Sequence, residues 1–322
     1  MASTSREVAP PPSRSSEDDH RRGVLAGMAA YAMWGVFPLI FHQLQSVGAG
    51  EILLHRIIWS FVVVVVGLLV FSDRGWLTDV RRNPRVIGRL AVAASLIAVN
   101  WLVYIWAVNT DRVVEAALGY YINPLITVAL GVVVLRERLR PLQVVALVLG
   151  AAAVVVMGVA YGRVPWVALV LACTFAGYGF VKKAVAMDGG PSLAVETSVL
   201  LGPAIVALVV LEARGDAAFL HGSIGRDALL VGLGFVTAAP LVLFGVAATR
   251  IPLTVLGLLQ YITPTLQLIC GVVILHEPLP PERLAGFVLV WIALAVLGSD
   301  AVRAYRNHQD LRLTDVAAEP PP

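Results

Sequence analysis

The chain contains two similar segments that lie a constant 140 residues apart. Each segment opens with a Tyr-Ile-(Asn or Thr)-Pro motif and continues through further matching residues with no gap in the offset. An internal duplication constrains the fold strongly, because each copy must form an equivalent structural unit. Both copies lie in apolar sequence, so these units are expected to lie in a membrane. The matched pairs are 121–124 with 261–264, 131–133 with 271–273, and 135–141 with 275–281.

The composition supports a membrane protein and argues against two soluble domains. Hydrophobic residues make up 58% of the chain and charged residues 14%, and the mean hydropathy is +0.83. Soluble domains carry about 25% charged residues. The pI of about 9.0 does not indicate nucleic-acid binding, because the basic residues flank apolar segments. Cys173 and Cys270 form no CxxC motif or ligand cluster, so neither a metal site nor a cofactor is expected.

Ten apolar stretches are long enough to cross a bilayer core, which needs about 20 helical residues. The flanking residues 1–22 and 303–322 are polar and are predicted to be disordered tails. The predicted fold class is an all-α polytopic membrane protein that is surrounded by the lipid bilayer. The spans, numbered one to ten, are predicted at 24–44, 51–71, 86–109, 113–135, 141–160, 164–183, 191–212, 228–248, 252–275 and 281–301.

Lysine and arginine residues are distributed unequally between the two sides of these spans. Eighteen of the 24 lie in the tails and in the loops that follow spans two, four, six and eight, and five lie in the other loops. Positively charged loops stay on the cytoplasmic side, so both termini are predicted to be cytoplasmic. Five spans per copy is an odd number. The repeats at 23–160 and 161–302 are therefore predicted to be inverted, as in alternating-access transporters.

Each copy carries a proline near the middle of a span, Pro124 in span four and Pro264 in span nine. A proline cannot donate to the carbonyl four residues earlier, so a helix kink with a free carbonyl is predicted at both sites. Polar side chains share one helical face beside each kink. They are predicted to line one substrate cavity, with helix–helix hydrogen bonds as the alternative. The substrate-binding candidates are Tyr120, Asn123 and Thr127 in the first copy, and Gln260, Tyr261, Thr263 and Gln267 in the second.

Span two begins with a cluster of ionisable residues. Glu51 and His55 lie one turn apart on the same face, and Arg56 lies roughly two turns inside the membrane. A charge at this depth marks a functional site by default, and Glu115 at the start of span four is the predicted partner of Arg56. These four residues are candidates for proton coupling or an ion pair, with a structural ion pair near the interface as the alternative.

Aromatic side chains with polar tips form a further set of candidates for substrate binding. Asn100 and Tyr104 share a face of span three, and aromatic surfaces suit an organic ligand with flat or cationic parts. The alternative is an interfacial aromatic belt. Thr237 of span eight lies outside the repeat-matched polar faces. The candidates in this set are Trp34, Asn100, Trp101, Tyr104 and Tyr178.

Several motifs resemble those of a known transporter family. The paired Leu-x-Glu-x-Leu segments at Glu137 and Glu277 are similar to the hallmark of the EamA branch of the drug/metabolite transporter superfamily. The segments 51–56, 100–109, 115–124 and 257–267 resemble its RarD subfamily in particular. The resemblance implies ten helices, two inverted repeats and an inner-membrane permease or exporter. RarD-like proteins are commonly labelled chloramphenicol-sensitive, a label that fixes no substrate.

Three functions are compatible with these features. The first is a secondary transporter of a small organic metabolite or drug, proton-coupled or facilitated, with no enzymatic activity. The second is an intramembrane acid/base enzyme that uses Glu51, His55 and Arg56, although no nucleophile or metal site lies beside them. The third is a lipid flippase or a channel. The sequence defines neither the direction of transport nor the oligomeric state.

Overall fold

The computed structural model describes residues 14–71, 77–78, 80, 83–136, 139–185, 187 and 189–318. Within them, ten helical spans have the length and hydropathy needed to cross a membrane, which confirms the predicted number. Span one contains the helices Arg14–Gly35 and Phe37–His42, and span nine contains Leu253–Leu259, Ile262–Ile269 and the π-helix Cys270–Ile274. The other spans are Ala49–Phe71, Pro84–Asn109, Val113–Leu135, Pro141–Tyr161, Trp166–Val185, Gly189–Arg214, Ile224–Ala248 and Pro281–Ala318.

The first and last helices extend beyond their apolar segments. The helix of span one already begins at Arg14, and the helix of span ten continues to Ala318. Both ends lie in segments that were predicted to be disordered tails. Extending an existing helix adds one hydrogen bond per residue fixed, which explains why polar flanking sequence can remain helical. Residues 1–13 and 319–322 lie outside the described residues.

The surface of the bundle is apolar, as a lipid-facing surface must be. Val133, Val159 and Ile224 are 76%, 79% and 88% exposed. Large exposed apolar patches are rare on soluble monomers, whereas lipid tails solvate such side chains well. Apart from the helix ends and the positions of the prolines, the backbone of the spans is hydrogen-bonded within helices, which satisfies the main requirement of the bilayer core.

Spans one and nine are interrupted, and they pack together close to their interruptions. The regular helix of span one is interrupted at Val36, between Gly35 and Phe37, and that of span nine at Gln260 and Tyr261, which form a tight turn while keeping helical backbone angles. A Cβ atom on Gly35 would lie 2.6 Å from Cβ of Leu266, so only glycine permits this approach of the two spans. The π-helix that follows in span nine is a rare element that is frequent at functional sites.

Spans two and eight also approach closely. A Cβ atom on Gly234 in span eight would lie 2.4 Å from the carbonyl oxygen of Trp59 in span two. Small residues at helix crossings allow such contact in membranes. This contact brings the polar side chains of span eight within reach of span two, where the deepest charge of the sequence is located.

Candidate functional site

A buried arginine occupies the core where spans one, two, three and eight meet. Arg56 is 4% exposed, and its Nε donates a hydrogen bond of 3.1 Å to Oγ1 of Thr237. Its guanidinium carbon lies 4.0 Å from the ring centre of Trp101, and 5.6 and 5.7 Å from those of Phe37 and Phe41. Among the described residues, no carboxylate lies within 4.0 Å of this guanidinium. Aromatic rings and one hydroxyl therefore hold the cation.

Tyr104 adds an unpartnered hydroxyl to the same core. Its side chain is 3% exposed, and its ring packs edge-on against Phe41 at 6.0 Å and Tyr120 at 5.7 Å between centroids. The hydroxyl has no hydrogen-bond partner within the described part of the chain. Buried polar groups usually have one, so this hydroxyl is available to a ligand.

Asn100 connects three spans. Its Nδ2 donates to the carbonyl of Leu171 and to Oγ1 of Thr174 in span six, both at 3.0 Å. Its Oδ1 accepts a bond of 3.1 Å from the hydroxyl of Tyr120 in span four. These bonds are helix–helix contacts, the alternative considered for such polar residues, and they hold the Tyr120 ring beside Tyr104.

Polar side chains of span nine bind backbone carbonyls of span one beside its interruption. Oγ1 of Thr263 donates to the carbonyl of Tyr31 at 2.8 Å, and Nε2 of Gln267 donates to that of Trp34 at 3.4 Å. The Oε1 atom of Gln267 is buried and has no partner among the described residues. The Trp34 ring packs against Tyr31 and Phe244 at 5.6 and 6.0 Å. Span nine therefore stabilises the end of the first helix of span one.

The two prolines have different surroundings. Pro124 lies inside the continuous helix Val113–Leu135, whereas Pro264 is the third residue of Ile262–Ile269. In the first turn of a helix a proline costs no hydrogen bond. The predicted free carbonyl of Gln260 is wrong, because it accepts a bond of 3.3 Å from the backbone N–H of Thr263. The kinks are therefore not equivalent.

The remaining candidates beside the prolines lie around the contact between spans four and nine. Asn123 is half-buried, and its Oδ1 has no partner among the described residues. Thr127 is exposed and donates to the carbonyl of Asn123 in its own helix at 3.0 Å. The carbonyl of Tyr261 accepts from Thr265 at 2.7 Å, and Oγ1 of Thr265 also bonds the hydroxyl of Tyr121 at 2.7 Å. Thr127 therefore points away from the core.

Glu51 binds backbone rather than a basic side chain. It is 3% exposed, and its carboxylate accepts bonds of 2.9 and 3.0 Å from the N–H of Ala218 and a bond of 2.9 Å from that of Phe219. The two N–H groups belong to the loop between spans seven and eight. A carboxylate of the first half of the chain thus fixes a loop of the second half.

The predicted pairing of Glu115 with Arg56 is wrong. The Glu115 carboxylate instead forms an ion pair with Arg163 at 2.6 Å, and it accepts a bond of 3.2 Å from the backbone N–H of Val167. Glu115 is the third residue of span four, next to the loop between spans five and six. Arg56 is the eighth residue of the span-two helix, so the loop arginine is the nearer partner.

Glu277, from the second copy of the Leu-x-Glu-x-Leu motif, caps the start of span four. Its carboxylate accepts bonds of 2.6 and 2.8 Å from the backbone N–H groups of Val113 and Val114. Burial raises the pKa of Glu277, while these N–H groups lower it. The helix N-terminus also favours a negative charge. Glu137, its counterpart in the first copy, lies outside the described residues.

His55 is held by a neighbour on its own helix. Its Nδ1 accepts a bond of 3.2 Å from Nε1 of Trp59, which assigns the proton of a neutral ring to Nε2. The Nε2 atom has no partner among the described residues. The ring lies 4.5 Å from that of Phe219, in the loop that Glu51 fixes. No hydrogen bond joins His55 to Glu51 in the described part of the chain, so the structure contains no direct relay between them.

Tyr178 belongs to a charged cluster where spans six and seven join. Its hydroxyl donates to Glu196 at 3.2 Å, and Nζ of Lys182 lies 2.7 Å from the other carboxylate oxygen of Glu196. Ser192 bonds both Lys182 and Glu196. Glu196 is 1% exposed, so this buried carboxylate depends on these donors. The Tyr178 ring packs against Phe175 at 6.2 Å between centroids, and Phe175 packs against Tyr120 at 5.9 Å, so the cluster borders the Arg56 core.

The sequence patterns missed several partners. Thr237 was placed outside the matched polar faces, yet it holds Arg56. No sequence pattern pairs Arg163 with Glu115, and none distinguishes Phe37 and Phe41 from other apolar residues. The isolated hydroxyl in the apolar span eight was the one available signal for Thr237, because polar groups at bilayer depth need partners.

Ten apolar spans around a buried polar core define a polytopic membrane protein with a site between its helices. Residues 21–159 match the model of the EamA-like transporter family. Protein RarD of Streptomyces exfoliatus is 51% identical over 292 residues, which cover 91% of this chain and 93% of that protein. RarD of Escherichia coli strain K12 is 39% identical over 287 residues, which cover 89% of this chain and 97% of that protein. The chain therefore belongs to the EamA-like transporter family, in its RarD subfamily, and is a membrane transporter.

Two further comparisons agree with this assignment. An uncharacterized transporter of Pseudomonas aeruginosa is 43% identical over 287 residues, with 89% of this chain and 96% of that protein covered. A protein of known crystal structure is 21% identical and superposes with a TM-score of 0.56 over 91% of this chain and 99% of that chain. The structural match supports the fold alone.

Proposed function

We propose that the protein is a secondary transporter that moves a small organic solute across the cell membrane by alternating access. The observation that carries the proposal is the meeting of two interrupted spans, one and nine, beside a core with a buried charge. Transporter binding sites form at discontinuous helices near the middle of the bilayer. The Arg56 core and the Thr263 and Gln267 contacts supply polar groups at such a place.

Inverted repeats are part of this proposal, and the helix packing supports them. If the two halves are related by a two-fold axis, span one corresponds to span six, span two to span seven, and so on. A contact between spans four and six then requires one between spans nine and one, and a contact between spans three and six requires one between spans eight and one. All four pairs are in contact. The pairs two–seven, four–nine and five–ten convert into themselves and are also in contact. This pattern of contacts is the one expected when the two halves are related by a two-fold axis.

The contacts of the three carboxylates suggest which conformation the structure represents. Glu51, Glu115 and Glu277 all lie at the ends of spans that the charge distribution assigns to the outside. Each carboxylate accepts hydrogen bonds from backbone N–H groups of a loop or helix start that is distant in the sequence. In this proposal, opening the outer end requires the release of these carboxylates. Proton coupling through Glu51, His55 and Glu115 then corresponds to protonation of Glu51 and Glu115, which hold the end closed, and of His55, whose ring lies 4.5 Å from that of Phe219 in the loop that Glu51 fixes.

A proline substitution tests the role of the interruption in span nine. Pro264→Ala adds an N–H that can replace that of Thr263 at the Gln260 carbonyl and so make the helix of span nine more continuous. We expect solute flux in proteoliposomes to fall by roughly tenfold or more, with insertion preserved. Pro124→Ala is the matched comparison and should have the smaller effect, since span four is already continuous. Equal effects of both substitutions would contradict this role.

Reporter fusions test the orientation and the cell-membrane location. A reporter fused after residue 312 is expected to be cytoplasmic, and a reporter inserted at Gly215 in the loop between spans seven and eight is expected to face outward. Paired alkaline phosphatase and fluorescent protein fusions measure the two sides. Reporters on the same side at both positions would exclude the inverted arrangement.

A further inference from the structure

If the protein is a transporter, as proposed above, the residues of the Arg56 core indicate the chemical class of its solute. We infer that the transported solute is an organic anion whose single carboxylate binds the Arg56 guanidinium and whose flat apolar part packs among the surrounding aromatic rings. Three features of the core support this solute: its charge balance, the geometry around the guanidinium, and the unpartnered hydroxyl of Tyr104 in the same core.

The charge balance of the core is incomplete. Arginine keeps its proton even when it is buried, and a buried ion usually has a counter-charge. Glu51, the acid nearest to Arg56 in the sequence, is engaged with Ala218 and Phe219, and Glu115, the predicted partner, is engaged with Arg163. Within the described residues, Arg56 therefore has no acidic partner, and a negative ligand would supply the missing charge.

The geometry of the guanidinium fits a carboxylate. The group has five N–H donors in a planar fork, and in the described residues only the Nε donor is engaged, with Thr237. Its carbon lies 4.0 Å from the ring centre of Trp101, and its two terminal NH₂ groups have no hydrogen-bond partner among the described residues, so they are available to a bidentate acceptor. Carboxylates match these two groups with two parallel hydrogen bonds. One positive charge balances one negative charge, which favours a monocarboxylate over a doubly charged phosphate.

The remaining groups suit an aromatic or otherwise flat apolar substituent. Phe37, Phe41 and Tyr104 are all buried beside Arg56 or its neighbouring rings. Aromatic rings bind flat partners edge-on or offset. The Tyr104 hydroxyl has no partner in the described structure and can donate a further bond to a carboxylate. An organic cation would meet the charge of Arg56 at close range and is disfavoured.

Ligands that share one ring system and differ only in charge test this inference. Indole-3-acetate, indole-3-acetamide and tryptamine carry an anionic, a neutral and a cationic group, and inorganic phosphate and acetate test charge without a ring. The readout is the Tm of the purified full-length protein in detergent at increasing ligand concentration, because binding to the folded state raises stability. Indole-3-acetate alone of the three indoles is expected to raise the Tm. Equal shifts with all three indoles, or a larger shift with phosphate, would overturn the inference.

Variants assign the effect to Arg56. Arg56→Gln is expected to abolish the shift, and Arg56→Lys to weaken binding roughly tenfold because lysine lacks the fork. Arg112→Gln is the matched control, since Arg112 also lies over a tryptophan, Trp106, at 4.7 Å, but near the start of span four. If Arg56→Gln does not fold, Tyr104→Phe decides the question, because it removes only the unpartnered hydroxyl. A carboxylate shift unchanged in Tyr104→Phe and Arg56→Lys would contradict the inference.

Flux measurements separate this inference from the proposed function. Proteoliposomes that exchange labelled indole-3-acetate, with flux lost in Arg56→Gln, agree with both. Exchange of the neutral amide at the same rate as the acid, unaffected by Arg56→Lys, would leave a transporter but overturn the carboxylate. Specific binding of the acid without any flux would support the carboxylate and contradict the transport function.

Discussion

Replacing Glu51 with glutamine is expected to loosen the end of the protein that its carboxylate holds closed. The carboxylate accepts three bonds of 2.9–3.0 Å from two backbone N–H groups of the loop between spans seven and eight. Hydrogen bonds to charged groups contribute about 1.5–3 kcal/mol each. Glutamine has only one oxygen to accept these bonds, and its NH₂ group would face the second backbone N–H, which is also a donor. The ratio of closed to open protein should therefore fall by roughly tenfold, the equivalent of about 1.4 kcal/mol.

Spin labels on either side of this contact measure the effect. The labels are attached to cysteines introduced at Ser46 and Asp216, which are exposed and flank the contact. The native cysteines are first replaced by Cys173→Ala and Cys270→Ala, so that only the introduced cysteines are labelled. The label-to-label distances should shift to longer values in Glu51→Gln. Glu212→Gln is the matched control, because Glu212 lies near the same loop and pairs with His221 at an exposed position. Unchanged distances in Glu51→Gln, or an equal change in the control, would show that the Glu51 carboxylate does not hold this end of the protein closed.

The same variant tests proton coupling. Glutamine is neutral, like a protonated glutamate, so Glu51→Gln should transport at a rate that no longer depends on an imposed pH gradient. Wild-type flux that is already indifferent to the gradient would instead indicate facilitated diffusion.

Replacing Lys182 with methionine is expected to destabilise the protein far more than the same replacement of Lys183, the other lysine of the chain. Lys182 is the charged partner of Glu196, a carboxylate that is 1% exposed. Removing one partner of a buried ion pair costs about 3–5 kcal/mol, because the other charge stays buried. The side chain of Lys182 is 20% exposed, so we expect a loss of about 2–3 kcal/mol. Tyr178 and Ser192 still donate to the remaining carboxylate.

The chain provides its own control at the next position. Lys183 is exposed, and Lys183→Met should change stability by no more than about 0.5 kcal/mol. Adding Glu196→Gln to Lys182→Met should restore part of the loss, because no buried charge remains. Thermal unfolding in one detergent measures all four proteins. Similar Tm values for the two lysine variants would mean that the ion pair does not stabilise the fold.

The sequence by itself determined the ten spans and the existence of a polar core. Bilayer insertion depends on the hydropathy of each segment separately, so every span could be located from local composition. The depth of Arg56 and the polar faces beside Pro124 and Pro264 were readable for the same reason. The duplicated motifs also indicated which spans correspond to each other, and the family could be assigned from them.

Only the tertiary structure decided the partners of the charged groups and the shape of the interrupted spans. Glu115 binds Arg163 and not Arg56, because partner choice depends on the distance between elements that are far apart in the chain. The two Tyr-Ile-x-Pro motifs are nearly identical, yet span nine breaks and span four does not. In span nine, Thr263 and Gln267 bond the carbonyls of span one. A local motif does not specify those cross-helix contacts, because they form only when the helices pack.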